Sequence, residues 1–135
     1  MSHESPIAEI EASIKRFKAV DWSSSGYPIA CERGEPIDAG WVKFGLQQSP
    51  LGWRTLEFLA WVYTDMIRAG ERLKFFPTSP PPYLNTPGEC LSFVIECYPL
   101  DGDQDERFRK VAEFINSCRK KYWPESCKDL PGSMK

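Results

Sequence analysis

A chain of 135 residues with 17 basic and 19 acidic side chains and a net charge of −2 is the size of one domain around one core. It carries no global field toward nucleic acid or an anionic membrane. Apolar residues at 41% and charged residues at 27% exclude wholesale disorder and a fibrous repeat.

The N-terminal residues include Glu4, Glu9 and Glu11 and lack the basic start and apolar centre of a secretory signal. No apolar run approaches the roughly 20 residues of a membrane span. A cytoplasmic protein with no membrane contact is expected. The cysteines, Cys31, Cys90, Cys97, Cys118 and Cys127, form an odd set without CxxC spacing. That favours reduced, mostly buried thiols over a disulfide framework or a zinc cage.

In chain order, residues 1–4 read as a mobile start. Over 5–20, "SPIAEIEASIKRFKAV", Ser5 is a candidate cap, and Pro6 sits at the first helical position, where a missing N–H costs nothing. Ile7, Ile10, Ile14 and Phe17 form a narrow apolar stripe, with Glu11 and Lys15 one turn apart on the wet side. "DWSSSGYP" reads as a break, followed by strands at "PIACER" (28–33) and "GWVKFGLQ" (40–47) joined by the turn residues of "GEPIDAG". A second helix runs from Ser49 or Pro50 to Ala69 and stops at Gly70. "RLKFF" (72–76) is a short strand, 77–89 a proline-rich loop, and "CLSFVIECY" (90–98) a central strand with Leu91, Phe93, Ile95 and Cys97 on one side. A third helix fills "DGDQDERFRKVAEFINSCRKKYW", with Asp103 and Glu106 as a capping pair and an apolar stripe of Phe108, Val111, Phe114, Ile115, Cys118 and Tyr122. Residues 124–135 read as a loosely held tail.

The order α-β-β-α-β-β-α predicts an α+β fold of two layers in a single domain over 1–135: an antiparallel sheet of about four strands carrying three helices. The central β-α-β-β-α portion suits a ferredoxin-like arrangement with an altered edge.

Several chemistries lack their parts. The one histidine, His3, precedes the first helix, which removes the basis for Ser-His-Asp, Cys-His and His-ligated metal sites. Neither GxxxxGK[ST] nor GxGxxG occurs, so phosphate loops of those types are excluded. Asp101, Asp103 and Asp105 alternate like the first ligands of a calcium loop, but the glycine and the final glutamate are missing. No cofactor or metal is expected.

On the second helix, Leu56, Phe58, Leu59, Ala60, Val62, Tyr63, Met66 and Ile67 cover more than half of the circumference. The remaining stripe holds Arg54, Glu57, Thr64, Asp65 and Arg68 around Trp61. A large aromatic amid charges has two readings. It is sealed by another part of the chain, or it is an anchor for a partner, since Trp and Arg are enriched among binding hot spots. Pro80, Pro81, Pro82 and Tyr83 form "PPPY", which resembles the PPxY ligand taken up by WW domains. The plain alternative is a stiff connector whose prolines lower the cost of ordering a long loop.

The leading expectation is a small protein-binding module, such as an inhibitor, immunity, chaperone-like or regulatory protein, acting by docking or occlusion on another protein. Trp61, Arg54, Arg68, Glu57 and Asp65 form its centre, with the PPPY stretch as a second contact. The alternative is a small-ligand binder or carboxylate-dependent enzyme with a pocket between sheet and helices, using Glu57, Asp65, Tyr63 or Tyr98. Nucleic-acid binding through Arg119, Lys120, Lys121, Tyr122 and Trp123 of the last helix ranks third, because a pI of about 5.5 lacks the usual basic excess.

Overall fold

The structure, a computed structural model, describes residues 6–28, 34, 39–78, 90–98 and 103–123. Their order is α1 (Pro6–Lys15), β1 (Val20–Gly26), β2 (Gly40–Gln47), α2 (Pro50–Arg68), β3 (Leu73–Pro77), β4 (Cys90–Cys97) and α3 (Gln104–Tyr122). The expected α+β order of three helices and four antiparallel strands is present. The calls at 1–4, at 29–33 of "PIACER", at Pro80 to Tyr83 and at 124–135 lie outside the described residues.

The sheet is antiparallel throughout, in the order β1-β2-β4-β3. β2 and β3 therefore run parallel on either side of β4, and α2 joins them, which is the split β-α-β unit of the ferredoxin-like expectation. The altered edge is β1, which pairs with β2 from the N-terminal side.

Alternation along each strand sorts the side chains into two faces. Val42, Phe44 and Leu46 of β2, Ile95 and Cys97 of β4 and Leu73 of β3 are buried in one cluster with Ile7, Ile10, Ile14, Leu59, Val62, Phe108, Val111 and Ile115 from the helices. The helices thus share one face of the sheet, and the apolar stripes of α1 and α2 are spent there. Burying a side chain of this size contributes about 1.5–3 kcal/mol, so this interface is the main source of stability. The other face presents Trp22, Trp41, Lys43, Lys74, Phe76 and Glu96.

One strand differs from its expected position. β1 falls on "VDWSSSG", the stretch read as a break, because its poor strand propensity is overridden by tertiary partners. Its inward Ser23 and Ser25 both donate to the Glu11 carboxylate of α1, at 2.6 and 2.5 Å. On the outer face the Trp22 indole lies on β2 over Gly45, where an added Cβ would stand 2.1 Å from its Nε1.

The entry to α2 is equally local. Ser49 caps it by accepting from the Gly52 N–H at 3.1 Å. A Cβ on Gly52 would stand 1.8 Å from the Gln47 carbonyl oxygen, so glycine is what lets strand turn into helix over so short a span. Asp103 caps α3 through the N–H groups of Asp105 and Glu106. The Glu106 carboxylate does not close the expected capping pair among the described residues and lies 3.7 Å from Lys110, one turn on.

Candidate docking surface

α2 turns three kinds of surface outward. Leu51, Thr55, Leu59, Val62 and Met66 are buried, Phe58, Tyr63 and Asp65 are half-buried, and Arg54, Glu57, Ala60, Trp61, Thr64, Ile67 and Arg68 are exposed. The buried arc is narrower than the apolar pattern implies, because Ala60 and Ile67 face outward. Trp61 is 42% exposed. Its ring meets Phe58 at 5.6 Å and stands edge-on to Tyr122 of α3 at 5.2 Å. Heptad spacing puts Arg54 and Arg68 on the same stripe, with Glu57 and Asp65 one turn either side of Trp61. None of these four charged side chains makes an ion pair among the described residues.

α3 supplies the facing wall. Its stripe Phe108, Val111, Ile115 and Cys118 is buried, but Phe114 is 36% and Tyr122 50% exposed. Two hollows lie between α2 and α3, both bordered by Phe114. The first, of about 150 Å³, is lined by Met66, Ala69, Glu71, Lys110, Val111 and Phe114. The second, of about 220 Å³, is lined by Asp65, Phe114, Ser117, Cys118, Lys121 and Tyr122. Burial pushes the Cys118 thiol above its ordinary range and the Asp65 charge adds to this, while Lys121 opposes it. A thiol held neutral is a packing group at the floor of the hollow, not a nucleophile.

Glu71, at the rim of the first hollow, is held at 2.6 Å by Arg107, whose guanidinium also donates to the Tyr98 carbonyl oxygen at 2.9 Å. That ties the start of α3 to the segment after α2 and to the end of β4. Beyond the far end of the groove, Trp123 is 6% exposed and packs edge-on against Phe17 at 5.2 Å and Phe58 at 5.0 Å. The floor of the groove is thus a continuation of the core.

The structure brings Trp61, Arg54, Arg68 and Glu57 onto one exposed strip of α2, with Asp65 half-buried at its edge. Asp65 lines the second hollow and Glu57 lines neither, so the two carboxylates do not converge there. The polar groups of the pocket alternative are engaged elsewhere: the Tyr63 hydroxyl donates to the Leu73 carbonyl at 3.1 Å and Tyr98 to Glu96 at 2.5 Å. Trp123, a stacking group in the nucleic-acid reading, is buried. Arg109 lies 3.5 Å from Glu9 and Lys121 sits over the Tyr122 ring at 5.2 Å.

Sequence reasoning missed Phe114 as a surface group, since it falls on the apolar stripe of α3; Tyr122, on the same stripe, entered only as a stacking group of the nucleic-acid reading. It also missed Trp53, 51% exposed on the far edge of the outward arc of α2. The helical period could have placed Trp53 there; nothing in the period reveals where α3 stops covering its own stripe. No family model, curated protein or solved structure matches the chain.

Proposed function

We propose that this protein is a protein-binding module that docks its partner on the α2/α3 face. One observation carries the reading: Trp61, 42% exposed, stands edge-on to Tyr122, 50% exposed, which lines the second hollow together with Phe114, 36% exposed. Contiguous apolar surface rimmed by polar groups marks interaction sites, and aromatic anchors with arginines beside them dominate binding energy. Arg54 and Arg68 stand one heptad either side of the anchor and make no ion pair among the described residues. The mechanism is occlusion: the bound partner surface is covered and withheld from its other ligands.

The test uses a photo-crosslinking side chain in place of Thr64, exposed beside Trp61, and the same group in place of Glu106 on the solvated side of α3. A discrete adduct in the native host from position 64, lost with Trp61→Ala, is the expected result. Equal adducts from both positions, or an adduct indifferent to Trp61→Ala, refute the reading.

A further inference from the structure

We infer that the occupant of the α2/α3 groove is an amphipathic helix with apolar anchors two turns apart and flanks of opposite charge. This rests on the docking reading above and adds the chemistry of the partner.

The spacing of the hollows comes first. Val111 lines one and Cys118 the other, and these residues are two turns apart on α3, roughly 10 Å at 1.5 Å per residue. Phe114 stands between them and borders both. A helix lying along α3 presents side chains at i, i+3 or i+4, and i+7 on one face. Its outer two fill the hollows and the middle one covers Phe114. The volumes, about 150 and 220 Å³, are of the size that accepts a benzene ring, so leucine, methionine or phenylalanine anchors fit.

Other backbones match less of the groove. A β-strand covers roughly 10 Å in three residues, which turns the two side chains to opposite faces. A polyproline helix returns to the same face in about 9 Å, but its two intervening residues point away and leave Phe114 uncovered.

Charge then sets the flanks. Along the groove, carboxylates stand on one wall, Asp65 of α2 and Glu71 just after it. Ammonium groups stand on the other, Lys110 and Lys121 of α3. Asp65 and Lys121 border the same hollow without forming an ion pair. Glu71 is partly neutralised by Arg107 and Lys110 by Glu106, so the second hollow carries most of the polarity. A helix acidic on the flank toward α3 and basic on the flank toward α2 complements both walls. The reverse assignment sets like charges together on both sides.

Two phage-displayed libraries panned against the full chain test this: a helical scaffold with one randomised face, and extended proline-rich peptides. Enriched helices are expected with large apolar residues at i and i+7, acids on one flank and bases on the other. They should lose about tenfold or more in affinity for Phe114→Asp, weaken with Lys121→Glu, and be unaffected by Phe76→Asp on the open sheet face. Circular dichroism must show each variant folded. Phe114 and Lys121 are both exposed, and the second variant still decides the matter if the first is unstable. The inference fails if no helix is enriched, if proline-rich peptides win, or if the winners ignore Phe114→Asp and Lys121→Glu. Should position 64 crosslink as expected while helices are rejected, the docking reading survives and the helix is wrong.

Discussion

Cys97 shows how a single position is specified by its surroundings. It ends the inward row of β4 at 0% exposure, and burial, followed by the nearby Glu71 charge, pushes its thiol from 9.0 up to about 12. The folded state therefore holds the proton more tightly than the unfolded chain does. Stability from this group is complete below pH 9 and is lost as pH rises from about 9 toward 12. Tyr98, raised to about 12 by its bond to Glu96, adds to the loss above pH 10, though as a partly exposed group it adds less. Iodoacetamide at pH 8 should leave Cys97 unmodified in the native protein and alkylate it in urea, read by peptide mass mapping. Cys97→Ala should flatten the decline of melting temperature just above pH 9. Native-state alkylation at the rate of a free thiol would contradict the assignment.

Among the elements, β1 depends most on a partner that its own residues do not announce. Strands with β-branched or alternating apolar residues, β2 and β4, are legible from period alone, as are α2 between Ser49 and Gly70 and the capped start of α3. The β1 stretch has neither property: its inward positions are serines, satisfied by a carboxylate from α1. A hydrogen bond to a charged acceptor is worth about 1.5–3 kcal/mol, and this one is half-buried and doubled. Glu11→Ala should therefore cost about 2 kcal/mol, with hydrogen exchange rising in β1 well before β2, whose other edge is paired to β4. Uniform loss of protection across the sheet would show that Glu11 supports the whole core and not this edge. The candidate site was legible to a similar extent. Trp61 amid charges is readable from α2 alone, whereas the hollows are lined by residues of both α2 and α3, a property of two helices together and not of either sequence.

Across the whole molecule, aromatic side chains divide into those that hold the helices together and those that face outward. Phe17 after α1, Phe58 of α2 and Trp123 at the end of α3 meet ring to ring at 5.0 to 5.8 Å. They close the helical layer at one end. Trp61 and Tyr122 extend that same chain of rings into solvent. Contact distances change little along this series, but exposure changes sharply, from 1% at Phe17 and 6% at Trp123 to 42% at Trp61. Stability should follow burial. Trp123→Ala leaves a cavity beneath three helices and should cost roughly 3–5 kcal/mol. Trp61→Ala forfeits the ring contacts to Phe58 and Tyr122 at a partly exposed position and should cost about 1–2 kcal/mol. Urea unfolding with an unchanged slope measures both, and the slope matters because a change in it would mean an altered denatured state. If the two substitutions cost the same, Trp61 is part of the architecture and the outward face has no energy to spare for a partner. If they separate as expected, the protein maintains a large aromatic at the surface that its own folding hardly uses.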